Sequence, residues 1–349
     1  MSEPPPPEPP PVSQPIVSPL TAAAIFLVVT VDPGGEDTVR DLLPDISALQ
    51  RSVGFRIPEG TLRAVVGIGS DAWDRLFAGP RPAELHPFRE LRGPRHHAPA
   101  TPGDLLFHIR ANRMDLCFEF AKQVMARLSG AATVRDEVQG FRYFDERDLI
   151  GFVDGTESPG GAAGVRAAIV SAGADPDFAA GSYVIVQKYL HDMPAWNSLS
   201  VEEQERVIGR SKLDDIEMPD DVKPANSHVA LNTITGPDGE ERQIIRANMP
   251  FGNVGAGEFG TYYIAYAATP SVTEEMLENM FLGNPPGNTD RILDFSTAIT
   301  GGLFFAPSAD FLDDPPGPPA AAQASASAAA EAPAAPAGDG SLGIGSLKG

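Results

Sequence analysis

The 349-residue sequence predicts an α+β fold of two ferredoxin-like halves, each an antiparallel sheet with helices on one face. Segments of strand and helix period run in the order βαββαβ, and roughly the same order recurs after a glycine-rich junction near Gly151–Gly161. Both chain ends depart from this pattern, one rich in proline and the other in proline and alanine. At 42% hydrophobic content the stretch between them is long enough to bury real cores.

In the first half, Ala22–Val31 reads as a buried strand. Glu36–Val53 reads as a helix, with Val39, Leu42, Leu43, Ile46 and Leu49 at a 3.6-residue period and a kink expected at Pro44. Leu62–Gly69 is the second strand, followed by a short helix at Asp71–Phe77 with Ser70 as its expected cap. A long loop then carries Pro80, Pro82, Pro87, Pro94, Pro99 and Pro102. Leu105–Arg110, a helix at Arg113–Leu128, and Thr133–Phe144 complete the unit. In the second half, strands are expected at Ser182–Leu190, Gln243–Ala247, Phe259–Ala268 and Gly302–Phe305. A short segment at Asp192–Trp196 precedes a helix at Val201–Ile208, opened by the capping-box pair Ser200 and Glu203. The last helix is expected at Val272–Leu282, after Ser271. These readings divide the chain into an N-terminal domain, 21–150, and a C-terminal domain, 151–312. Residues 1–20 read as a disordered Pro-rich arm, 313–338 as a flexible linker and 339–349 as a terminal peptide.

A formal net charge of −21 argues against nucleic acid and anionic membranes as partners, since both require a basic face. The single cysteine, Cys117, excludes an intramolecular disulfide and a thiolate metal cluster, and reads as a small buried hydrophobe. Thr21–Val31 is apolar but too short to span a bilayer, and Glu3 and Glu8 precede it where a signal peptide would carry basic residues. A cytoplasmic protein is expected.

The junction holds the chemistry-bearing stretch Gly151-Phe152-Val153-Asp154-Gly155-Thr156-Glu157. Glycines on either side let the backbone turn sharply and approach a bulky ligand. Alone, Asp154 would read as an ordinary turn residue satisfying its own backbone. Downstream lie Asn226-Ser227-His228-Val229-Ala230-Leu231 and Ile244-Ile245-Arg246-Ala247-Asn248-Met249-Pro250-Phe251-Gly252. Of the six histidines, His228 is set among small and apolar residues, and any one of the six could be structural. Arg246 alone would read as an ion-pair partner for one of many acidic neighbours.

The three segments, in this order, resemble the dye-decolourising haem peroxidases of bacteria, over roughly residues 20–312. The resemblance implies one haem b in the C-terminal half near the junction, with His228 as proximal iron ligand and Asp290 as its carboxylate partner. It casts Asp154 as the acid–base group for peroxide, Arg246 as the cation facing the departing oxygen, and Asn248 as an orienting amide. Arg210 matches the arginine that binds a haem propionate, and Gly155 and Thr156 belong to the loop against the cofactor. Asp290 reads equally well as an N-cap for the turn that follows it, and Arg210 as a cation favourable at a helix C-terminus. The implied activity is reduction of hydrogen peroxide coupled to oxidation of dyes, phenols or manganous ion, by an enzyme that is often a homo-oligomer. The same fold could instead serve a haem carrier or iron-releasing protein, which would need His228 but not Asp154 and Arg246.

The ending Ser341-Leu342-Gly343-Ile344-Gly345-Ser346-Leu347-Lys348-Gly349 places sparse apolar anchors on a flexible chain. It resembles the cargo-loading peptide that draws such peroxidases into encapsulin shells. The linker before it would reach about 25–30 Å as a random chain, leaving the folded enzyme free of the shell wall.

Overall fold

The structure, a computed structural model, describes residues 10–155 and 158–320. Thr156, residues 1–9 and the terminal peptide Ser341–Gly349 lie outside the described residues.

Among the described residues the main sheet has ten strands, nine of them labelled here: β1 (Ala23–Val31), β2 (Arg63–Gly69), β3 (Leu105–Ala111), β4 (Ala132–Phe141), β5 (Ser182–His191), β6 (Ile245–Arg246), β7 (Met249–Asn253), β8 (Glu258–Ala267) and β9 (Gly302–Ala306). Their order across the sheet is β6-β8-β5-β9-β2-β3-β1-β4, with β7 also pairing to β8 and a short strand, Ser296–Ala298, pairing to β5. All these pairings are antiparallel. In both halves the spatial order is second, third, first, fourth, and the halves join through β9 and β2 at Phe304–Gly69 and Phe305–Ile68.

Alternation along the strands creates two cores. On β8, Tyr262, Ile264 and Tyr266 enter an inner layer with Phe26 of β1 and Val184 and Val186 of β5. The Phe26 and Tyr262 rings stack with centroids 4.2 Å apart, so the helix-free faces of the two halves pack against each other. The other face is covered by helices at Glu36–Leu42, Ile46–Gly54, Ser70–Leu76, Met114–Arg127 and Pro270–Phe281.

Several expectations need correction. Pro44 does interrupt the first helix, with a 3-10 turn over Leu43–Asp45. Ser70 is not a cap: Gly69 holds that position, and Ser70 accepts a hydrogen bond from Arg81. The last long helix is capped by Thr269, two residues before the expected Ser271. The segment Gln243–Ala247 shortens to Ile245–Arg246, and β7 was not anticipated. Residues 10–20 are not a disordered arm. Ile16 is fully buried, and the Gln14 side chain bonds to the backbone of Val66 and Pro307, bridging the two chains where the pairing of β2 with β9 stops. The first residues assigned to the linker are ordered: Asp313 ends a helix from Ala309, and the Gly317 carbonyl accepts the Ala78 amide; residues 321–338 of that segment lie outside the described residues. No helix among the described residues is long and apolar enough to cross a membrane.

Candidate active site

A cavity of roughly 1360 Å³, its open mouth included, lies in the second half against the helix-bearing face of its sheet. Asp154, Gly155, Arg210, His228, Arg246 and Asn248 all line it, so six residues drawn from four sequence segments meet in one place.

His228 opens a five-residue helix, His228–Asn232, whose first turn is capped by the buried Ser227 hydroxyl. Its Nδ1 lies 2.7 Å from Oδ2 of Asp290, which is fully buried. Asp290 Oδ1 accepts the Ile292 amide, so the residue is both an N-cap and the histidine's partner, and the two sequence readings hold together. Asn232, one helical turn on, donates to the His228 carbonyl. With Nδ1 so engaged, Nε2 has no hydrogen bond among the described residues, and the ring lines the cavity. A carboxylate behind an imidazole fixes its tautomer and makes the other nitrogen a better metal ligand. This donor set fits haem iron, which histidine ligates well.

Asp154 is presented by a tightly tied loop. Its amide donates to the Glu146 carbonyl, and Gly151 takes a φ of +95°. A Cβ on Gly151 would also meet Lys212 Cε at 2.6 Å. Beneath the loop, the buried Trp196 indole donates to the Ile150 carbonyl at 2.9 Å and meets Phe152 and Phe295 edge-on. Asn248 donates through Nδ2 to Asp154 Oδ1 at 3.1 Å while its own Oδ1 accepts the Ile264 amide, which fixes which way the amide faces. The Arg246 amide is held by the Ser158 hydroxyl, and its guanidinium makes no ion pair among the described residues. The structural ion pair considered for Arg246 is therefore not formed there. Tyr263 also lines the cavity, and burial raises its phenol well above the ordinary range.

Arg210 follows Gly209, whose left-handed φ of +94° ends the preceding helix. A Cβ at Gly209 would lie 2.8 Å from Ser227 Oγ, so only glycine lets this cation approach the His228 helix. Arg210 Nε pairs with Asp215 at 3.0 Å and Nη1 lies 3.6 Å from Glu217. Sequence reasoning missed Asp148, Asn232, Tyr263 and His191. The one available signal was the four-residue spacing of Asn232 from His228, which places both on one helix face.

Residues 13–142 match the family described as Dyp-type peroxidase, N-terminal, and residues 145–311 match Dyp-type peroxidase, C-terminal. The chain belongs to the DyP-type peroxidase family. It is 67% identical over 337 residues to the dye-decolorizing peroxidase of Rhodococcus erythropolis, covering 97% of each chain. It is 64% identical over 336 residues to that of Mycobacterium tuberculosis, covering 96% of this chain and 97% of the relative. Among solved structures, the encapsulated DyP-type peroxidase of Mycobacterium smegmatis superposes with a TM-score of 0.87 at 70% identity, over 88% of this chain and all of the other. DyPB of Rhodococcus jostii gives 0.85 at 57% identity, over 86% and 97%. Variants of that protein have been solved in complex with haem, and one in complex with manganese. This chain is thus a peroxidase, an oxidoreductase that uses a haem cofactor.

Proposed function

We propose that His228 ligates the haem iron, and that Asp154, Arg246 and Asn248 act on peroxide in the same cavity. The observation that carries this is the His228–Asp290 pair at 2.7 Å, which leaves Nε2 facing a space shared with those three residues. When bound, haem would supply an iron able to take up peroxide and store oxidising equivalents for the electron donors. The chain's own residues do the rest. As a carboxylate, Asp154 takes a proton from bound peroxide and returns it to the leaving oxygen, general acid–base work worth about 10²–10⁴-fold. The Arg246 guanidinium stabilises the negative charge that develops on that oxygen. Asn248 holds the Asp154 carboxylate in place through Nδ2 and helps orient peroxide or a water. Asp290 keeps the imidazole oriented and electron-rich. Arg210, on the cavity wall, receives a haem propionate, and Gly155 meets the cofactor from the same wall; Thr156, assigned with it, lies outside the described residues.

Each half reads as a ferredoxin-like domain, 21–150 and 151–312, and the shared strand order supports this. The donors are dyes and phenols, with manganous ion as a further candidate because a variant of the R. jostii relative was solved with manganese. The encapsulated M. smegmatis relative supports packaging of this enzyme in an encapsulin shell; its capture through Ser341–Gly349, a cytoplasmic location and a homo-oligomeric state belong to the same proposal.

Absorption spectra of the haem-loaded wild type and of His228→Ala, before and after peroxide, test the assignment. A Soret band altered or lost in the variant, with a peroxide response confined to the wild type, supports the ligand. Identical spectra from the two proteins would remove it. Deleting Ser341–Gly349 should leave turnover intact and end encapsulation, and normal packaging of the truncated protein would reject the tail's role.

A further inference from the structure

The cavity wall holds a second carboxyl that the roles above leave unused. Asp148 sits six residues before Asp154 on the same tied loop and lines the same cavity. Its Oδ1 accepts the Phe152 amide at 3.0 Å, its own amide donates to the Phe152 carbonyl, and its carbonyl accepts the Gly151 amide. Charged and titratable groups face it from several elements: Asp154, His228 and Lys212. None forms a salt bridge with it among the described residues. The Lys212 ammonium is taken by Gln204 Oε1 at 2.6 Å and lies over the Phe152 ring, and the Arg147 guanidinium is spent on the carbonyls of Gly151, Lys212 and Leu213. Two neighbouring, half-buried carboxyls on one wall oppose each other's ionisation. Asp154 has the Asn248 amide donor and the nearby Arg246 cation in the same cavity, whereas Asp148 is met only by the backbone amides of Phe152 and Gly151 and has no ion-pair partner among the described residues.

We propose that Asp148 is the proton store of the peroxidase cavity: it holds a proton beside the Asp154 base, and it delivers protons for the reduction of peroxide to water. This rests on the acid–base role assigned to Asp154. Reducing one peroxide to two waters breaks one O–O bond and consumes two electrons and two protons. The donors supply the electrons. The Asp148 O–H releases its proton toward Asp154 and the product oxygen, and the resulting carboxylate is reprotonated from solvent. Burial first, and then the Asp154 charge, push the Asp148 carboxyl up to about 7, consistent with a group that is loaded at neutral pH yet able to give up its proton.

The test is pH-difference infrared spectroscopy of the haem-loaded enzyme, which reads the carboxyl directly, together with pH profiles of kcat/KM for peroxide. The wild type should lose a protonated-carboxyl band with a midpoint near 7, and Asp148→Asn should lack that band. The carboxamide oxygen of that variant can still accept the Phe152 amide, so the loop should keep its shape. The variant's kcat/KM profile should lose its inflection near neutrality and keep its acid limb. Should Asp148→Asn fail to take up haem, Asp154→Asn serves instead: removing the neighbouring charge should lower the midpoint of the remaining band. A wild type without the band, or a band indifferent to both substitutions, would overturn the proposal. If Asp154→Asn reacts with peroxide at the wild-type rate, the role of Asp154 falls, independently of whether the Asp148 band is present.

Discussion

Replacing Asp290 with asparagine probes the ligand assignment at its most constrained point. The side chain is fully buried and both oxygens are in use, Oδ2 by His228 Nδ1 at 2.7 Å and Oδ1 by the Ile292 amide at 3.0 Å. Asparagine has the right shape but only one acceptor. If its oxygen turns to His228, its NH₂ confronts the Ile292 N–H; if it turns to Ile292, donor meets donor at Nδ1. Either way one charge-assisted hydrogen bond is lost, worth about 1.5–3 kcal/mol, and a buried donor is left unpaired. At about 1.4 kcal/mol per tenfold, this is roughly a 10–150-fold weaker hold, overlapping the 10–100-fold range typical of partners behind metal-bound histidines. The assay is haem transfer to an excess of a scavenger globin, with the midpoint potential of the haem iron measured in parallel. Haem should leave faster by about that factor, and the potential should rise because a less electron-rich imidazole stabilises the oxidised iron less. A variant that folds normally, keeps its haem and holds its potential would refute the claim that Asp290 acts through His228.

Arg246→Leu should retain haem uptake while slowing the reaction with peroxide by about 10²–10³-fold, the usual cost of removing a group that stabilises developing charge; stopped-flow absorbance reads this. Trp196→Phe deletes the indole bond to the Ile150 carbonyl beneath the Asp154 loop, and should cost about 1–3 kcal/mol in urea unfolding through the unpaired carbonyl, with kcat lowered more than haem affinity. His191 bonds to the hydroxyls of Ser296 and Thr261, and burial depresses it from 6.5 to about 4. Its stabilising contribution is therefore complete above pH 6.5 and is lost as pH falls from there through about 4, by up to about 3 kcal/mol. His191→Gln should flatten unfolding free energy across that window, and an unchanged acid slope would count against the assignment.

What the sequence made legible was periodicity and local chemistry. Alternation in β8 and the 3.6-residue period around Pro44 are one-dimensional signals, and both survived folding. The packed arm did not announce itself, because nine prolines in the first twenty residues mask three anchors, Gln14, Ile16 and Val17. β7 was hidden by Pro250 and Gly252, which are tolerated because β7 pairs only with β8 and so lies at an edge of the sheet. Asp148 carried no signal at all. Its character comes from burial and from Asp154, and neither is visible until the loop closes.

The two halves share a strand order, yet among the described residues the haem-sized cavity lies in the second, and what faces the corresponding strand differs between them. The third strand of the first half, β3, turns Leu105, Phe107, Ile109 and Ala111 toward its helices, where Leu116, Phe120 and Val124 of Met114–Arg127 fill the space. The equivalent strand of the second half, β8, presents Thr261, Tyr263, Ala265 and Ala267 on the corresponding face. Opposite it, Pro270–Phe281 offers Met276, Leu277 and Met280 as one wall of an open space rather than as a plug. Of that face, Thr261 and Tyr263 line the space, whereas Ala265 and Ala267 pack with Ile244 beside it. The long connection between β5 and β6, which in the first half holds only a kinked helix and a turn, then has room to deliver Arg210 and His228 into that space.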